Sequence, residues 1–402
     1  MKVQYREIEG NSKGYLALLG VLGALILIGL GAVWHMEHEG HWVTGMDNQV
    51  VWGMPHVFAI FLIVAASGAL NVASISSVFH KTFYKPMARL SALLAITLLV
   101  GGLVVLVLDL GQPDRLLVAM THYNFKSIFA WNVLLYNGFI AIVGLYLWFM
   151  MDRKLQAHSS KVGVAAFIWR LILTTGTGSI FGFLVARQAY DAAIMAPMFI
   201  IMSFAFGLAV FLLVLMASYN WTGRPLGDVV IKRLKNLLGV FVAAVLYFEM
   251  ARHVTNLYAT EHHGIEAFIL RDGGVYTFLF WVVQIGLGTL LPLALLFCPR
   301  PSKSRLAVAA ASVLVIIGGL AQLYVIVIGG QAYPLVLFPG YEMSSAFQDG
   351  IVNAYSPTIY EILLGVGGVA FALILTAVAL KVLNFLPTSL ADEVFEDESA
   401  KA

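Results

Sequence analysis

Apolar residues run through this chain in long unbroken blocks, separated by short polar gaps, from Gly14 to Val382. A helix needs roughly 20 apolar residues to cross a hydrocarbon core about 30 Å thick. The blocks predict ten such helices, near 14–34, 53–78, 90–110, 127–151, 162–186, 194–218, 237–257, 275–297, 306–328 and 358–380. The segments are continuously apolar and do not alternate, which excludes the strands of a membrane β-barrel. The first block ends in Trp34-His35-Met36 and is long enough to span, so it reads as a retained helix rather than a cleaved signal. The fold class expected is an all-α integral membrane protein. Residues 1–385 form one multi-spanning domain, and 386–402 form an acidic tail expected to be disordered.

The placement of charge gives this pattern a direction. Lys and Arg are retained on the cytoplasmic side of a membrane. The N-terminus, the even-numbered loops and the C-terminus hold 18 of them, from Lys2 and Arg6 through Arg153, Arg233 and Arg305 to Lys401. The odd-numbered loops hold five: Arg115, Lys126, Arg187, Arg252 and Arg271. Both termini are therefore expected in the cytoplasm. The outer side is acidic and aromatic, with Glu37, Glu39, His41, Trp42 and Asp47 in the first loop. Tyr333, Phe338, Tyr341, Glu342 and Asp349 follow in the ninth, a long loop over 329–356 of the kind that binds or covers.

Composition narrows the chemistry. With 60% hydrophobic and 11% charged residues, the chain has no room for a soluble domain and no basic surface for nucleic acid. Its one cysteine, Cys298, cannot hold an iron–sulfur cluster, which usually takes four thiolates. Only His35, His56 and His253 lie in or at the ends of spans, so a haem is not expected and a pair of haems is excluded.

An ionisable group inside a span costs at least about 2.5–3.5 kcal/mol on insertion scales and needs a reason. Asp109 ends the third helix, and Trp52 and His56 open the second. Trp131 and Asn132 lie one turn into the fourth. Glu249, Arg252, His253 and Asn256 share one stripe of the seventh. Gln284, Gln322 and Glu361 lie on the eighth, ninth and tenth. The charge alternation puts all of them in the outer half of the bilayer, which suggests one polar pocket. The blander readings are an Asp109–Arg115 pair at the interface, a structural Glu249–Arg252 or Glu249–His253 pair, a snorkelling Arg170, and close packing at Gly178 and Gly182. Carboxylates, a histidine and tryptophans at the edge of an apolar bundle suit a quinone headgroup, with Asp, Glu and His as proton acceptors.

The motifs Trp52-Gly, Asp109-Leu-Gly-Gln-Pro113 and Tyr123-Asn-Phe-Lys-Ser127 resemble those of the NrfD, or polysulfide reductase membrane-subunit (PsrC-like), family. With the Glu249-x-x-x-His253 stripe and the Tyr333-Pro-Leu segment, the chain is most similar to the DsrP-type branch, found in the transmembrane complex associated with dissimilatory sulfite reductase. The resemblance implies two four-helix bundles plus flanking helices in a bacterial cytoplasmic membrane. It also implies a quinone (menaquinone or ubiquinone) at the outer face, no cluster or haem in this chain, and a role in sulfur metabolism. Partners would be a periplasmic iron–sulfur protein (DsrO-like) and other membrane and haem-containing subunits (DsrM-, DsrK- and DsrJ-like). Carried over residue by residue, the site aspartate falls on Asp109 and the tryptophan on Trp52, with Tyr123 in the third motif. The first-helix histidine of some members matches His35 or His38 only loosely, leaving that role open among His35, His56 and His253. The alternative reading is a proton-conducting or transporter subunit without redox chemistry, for which a substrate site near the midplane would be expected.

Overall fold

The computed structural model describes residues 3–335, 338, 341 and 350–395, with the side chain of Ala119 excepted. Lys2, Glu342, Asp349, Lys401 and the end of the acidic tail lie outside the described residues. Ten long helices dominate: α1 (Lys13–Glu39), α2 (Met54–Ser77), α3 (Thr82–Leu108), α4 (Ile128–Met151), α5 (Gln156–Gly182), α6 (Met195–Thr222), α7 (Asp228–Tyr258), α8 (Val275–Phe297), α9 (Arg305–Ala332) and α10 (Ile359–Val382). Among the described residues, nine of them are long and apolar enough to cross a membrane. The tenth, α7, has 31 residues but carries Lys232, Arg233, Lys235, Glu249 and Arg252.

Pairing of the chain ends argues that α7 crosses as well. Tyr5–Arg6 (β1) pairs antiparallel with Leu386–Pro387 (β2), so both ends meet at one end of the bundle and the number of crossings is even. Helices α2–α5 pack as one four-helix bundle and α6–α9 as a second, with α1 lying on α10 and α10 on α2 and α3. The seam between the bundles is a backbone-to-backbone contact of α2 with α6. A Cβ on Gly68 would strike the Ser203 carbonyl, and one on Gly207 would strike Gly68 and Ala69. Lipid is as apolar as leucine, so helices in a membrane associate by such close packing rather than by expelling water. Gly178 plays the expected packing part, its Cα facing Met195 and Ala196 at the start of α6.

Three differences from the sequence reading follow from polar contacts. Helix α9 runs on through Gly330–Ala332, where Gln331 is fully buried, so the ninth loop starts later than expected. Residues 386–395, assigned to the free tail, make ordered contacts: Arg224 donates to the carbonyls of Leu386 and Pro387, Tyr219 to that of Pro387, and the Asp392 carboxylate caps the first turn of α7. Arg170 does not snorkel. Its Nη1 donates to the Ser67 carbonyl, where α2 breaks at Leu70, and its guanidinium lies between Phe167 and Phe204.

Candidate quinone site and buried ionisable network

Gly53 caps α2 and Pro55 follows in its first turn, where a missing N–H costs nothing; His56 is thereby placed at the mouth of the first bundle. Helix α3 ends there from the opposite direction, at Asp109. The turn beyond it passes through Gly111 at φ +67°, a conformation that glycine adopts without strain. The His41 ring, brought in by the first loop, packs on Gly111, where an added Cβ would meet it at 3.2 Å.

The two motifs thus meet. His56 Nδ1 lies 2.9 Å from Asp109 Oδ2, and the aspartate side chain is 1% exposed. The contact has ion-pair distance, but the ring N–H is not aligned on the oxygen, and neither Asp109 oxygen has a hydrogen-bond donor among the described residues. Arg115, the partner the sequence offered, is not the one chosen. The indole of Trp52 lies against the His56 ring at 6.4 Å and is boxed in by Phe129 of α4 and Phe181 of α5. A buried carboxylate with free acceptor capacity, a half-buried imidazole and an aromatic wall form one polar-lipped apolar site. Buried polar groups are nearly always paired, so the open acceptors of Asp109 mark the place where a donor from elsewhere fits.

The other expected site residues make different contacts. His35 packs against Tyr360 of α10, the ring centroids 4.3 Å apart and the planes tilted by 32°. Trp131 donates to the Phe125 carbonyl and is 46% exposed; it forms an aromatic group with Phe125 and Tyr123. Its neighbour Asn132 turns inward to Gly176 and Thr177. Glu361 is spent on structure, its carboxylate accepting from Tyr355, Thr358 and Gly45 in the capping box that starts α10.

Glu249 and His253 belong to a separate cluster in the second bundle. Glu249 Oε1 accepts from Arg252 at 2.8 Å and lies 3.2 Å from His253 Nε2; its Oε2 accepts from Gln322 of α9 at 2.9 Å. His253 Nδ1 lies 2.6 Å from Glu266 Oε2, and Asn256 donates to Glu266 Oε1 at 2.8 Å. Each of the four carboxylate oxygens therefore has a donor, and every member is buried. Gln284 is buried nearby with its amide oxygen unpaired, lining a void of about 10 Å³ with Gln322. The single pocket expected from depth alone is two clusters, because depth fixes position along the membrane normal and not around the bundle.

Two contributors were not singled out from the sequence. Glu266 lies past the end expected for the seventh helix, on a short helix whose only signal is a carboxylate among polar loop residues. Gln331 lay in the expected loop, and its signal was the apolar run Val325–Gly330 leading into it. Outside the spans, Asp47 ties the first loop to the segment before α10. Partial burial pushes its carboxyl up, but the Val50 N–H, the Asn353 amide and the Gln49 N–H outweigh this and hold it below its ordinary range.

Among the described residues, ten packed helices with polar groups buried inside two bundles define a multi-pass integral membrane protein with a candidate site at the end of its first bundle. The family model described as "Polysulphide reductase, NrfD" matches residues 42–334, and the chain belongs to that family. It is 27% identical, over 99% of its own length and all of the relative's, to the Hdr-like menaquinol oxidoreductase integral membrane subunit of Archaeoglobus fulgidus. It is 28% identical to a putative dimethyl sulfoxide reductase membrane subunit of Halobacterium salinarum, over 91% of this chain and 90% of that one. With the menaquinone reductase integral membrane subunit of Nitratidesulfovibrio vulgaris it shares 22% identity over 78% and 81%.

Proposed function

We propose that this protein is the quinone-reactive membrane subunit of a multi-subunit electron-transfer complex. The observation that carries the reading is the buried Asp109 carboxylate, lacking a hydrogen-bond donor, in contact with His56 and beside Trp52. The relatives named for menaquinol and menaquinone chemistry support it. A bound quinol supplies two electrons and two protons. Asp109 accepts a hydroxyl hydrogen bond and then one proton at its free oxygen, and the other proton leaves to solvent at the mouth where His56 is part exposed. His56 orients that carboxylate, and Trp52 with Phe129 and Phe181 holds the ring. Excluding water from the site strengthens each of these polar contacts. The electrons pass to a partner, since the single cysteine of this chain cannot supply a cluster.

The finer reading puts the chain in a bacterial cytoplasmic membrane with both termini inside and the Asp109 site at the outer face. The electron partner is then a periplasmic iron–sulfur protein, alongside other membrane and haem-bearing subunits, in sulfur metabolism. In this reading Glu249 and His253 act beyond the headgroup, as a proton-holding group in the second bundle. The test is Asp109→Asn in the assembled complex. Quinol-linked electron transfer should fall by about 10²–10⁴-fold, the range for loss of a general base, with the make-up of the complex unchanged. Wild-type turnover in an assembled Asp109→Asn complex would remove the assignment.

The closed Glu249–Arg252–His253–Glu266 group favours one second reading, a proton-conducting subunit without redox chemistry of its own. Purified complex containing no quinone, and binding none, would favour it.

A further inference from the structure

We propose that Gln331, on the second bundle, is a positioning residue for the Trp52 wall of the site on the first; this rests on the quinone reading above. Val51 and Trp52 lead into α2 ahead of its cap at Gly53, so their N–H groups and the Trp52 carbonyl lie outside the helix. Gln331 supplies their partners. Its Oε1 accepts from the N–H groups of both Val51 and Trp52, each at 3.0 Å, while its Nε2 donates to the Trp52 carbonyl at 3.0 Å and to the Val327 carbonyl at 2.8 Å. Four backbone groups leave the amide only one orientation, because two N–H donors require the oxygen and two carbonyls require the nitrogen.

The clamp is itself fixed. Gln331 is 1% exposed. Its own carbonyl accepts from Arg187 Nη1 at 2.9 Å, the second Arg187 nitrogen donates to the Gln49 carbonyl, and Gln49 Nε2 donates to the Ala332 carbonyl at 3.1 Å. Immediately before it, α9 widens into a π-helical segment over Val325–Gly329, a deviation frequent at functional sites. Without that widening, Gln331 would be rotated about the helix relative to Gln322, which serves the Glu249 network. A glutamine fits the place because it both accepts and donates. Methionine of similar length does neither, and glutamate accepts without donating while burying a charge. The consequence is that the backbone carrying the indole next to His56 is held by the far bundle, while Phe129 and Phe181 of the near bundle box the indole itself. A loss there should loosen quinol binding without touching the proton acceptor.

The experiment uses the whole complex carrying Gln331→Met, Gln331→Glu or Asp109→Asn, with two readouts. Hydrogen exchange of the 50–54 segment reports the clamped amides, and steady-state kinetics with a soluble short-tail quinol separates KM from kcat. Gln331→Met should speed exchange at Val51 and Trp52 by about tenfold, the scale of one lost hydrogen bond, and raise KM with kcat near wild type. Gln331→Glu, which retains the acceptor, should keep more of that protection than Gln331→Met. Asp109→Asn should do the reverse, lowering kcat and leaving exchange alone. Wild-type exchange and KM in Gln331→Met would overturn the proposal, as would lowered complex stability with neither readout moved. If quinol kinetics are insensitive to Asp109→Asn, the site reading fails, while the exchange readout still decides the clamp.

Discussion

Asp109, the last turn of α3, and His56, the first turn of α2, stand 2.9 Å apart although neither is near the other in sequence. The pairing exists because the two helices run antiparallel and end at the same level. A short and buried contact of this kind couples the two side chains, so their substitutions should not act independently. His56→Ala should weaken quinone binding more than it slows turnover, and Asp109→Asn should do the opposite. In a double-mutant cycle the interaction energy should be about 0.5–3 kcal/mol, the range for residues in contact. Strict additivity would mean that the pair does not work as a unit.

The second-bundle network makes a different prediction. Glu249 holds Arg252 in a buried environment, with both side chains 2% exposed. Glu249→Gln leaves that guanidinium without its anion, and breaking a buried pair from one side costs about 3–5 kcal/mol. Thermal unfolding in detergent should show a clear loss for Glu249→Gln. Replacing both residues with apolar ones of similar volume should recover much of it. A Glu249→Gln variant as stable as wild type, but slow, would instead support proton transfer through this carboxylate as its main use.

Acid should act first outside the membrane. The Asp47 carboxyl is depressed in the folded state by the hydrogen bonds it accepts. Its contribution is therefore fully present above the ordinary carboxylate pKa and is lost as pH falls through the lower folded value. The tie between the first loop and Asn353 should be unchanged from neutral pH to about 5 and weaken only below about 4, near the ordinary aspartate pKa. Limited proteolysis at residues 44–52 across that range reads it directly, and Asp47→Asn should flatten the response.

Orientation is open to a direct check. Reporter fusions after residues 160, 228 and 303 should read as cytoplasmic, and those after 45, 265 and 345 as periplasmic, if the excess of Lys and Arg sets topology. Inversion of the whole pattern would move the Asp109 site to the cytoplasmic face and rule out a periplasmic electron partner.

How much of this was legible in the sequence follows from what each signal measures. Apolar block length predicted the existence and order of the helices, because crossing a bilayer is a one-dimensional requirement. But α3, α5 and α7 begin well before the expected 90, 162 and 237, at Thr82, Gln156 and Asp228. The short-range motifs marked Asp109 and Trp52 and left the histidine open among His35, His56 and His253; in the fold His56 is the one that touches both. The stripe on α7 was equally visible, since helical spacing alone puts Glu249, Arg252, His253 and Asn256 on one face. Tertiary structure decided which stripe meets which. It separated Glu249 from Asp109, turned Trp131 outward, gave His35 to Tyr360 and Glu361 to a cap. It also brought in Glu266 and Gln331 from stretches that read as loop. Those outcomes depend on rotation of each helix about its axis and on backbone contacts such as Gly68 with Gly207. Hydropathy along the chain carries no information about either.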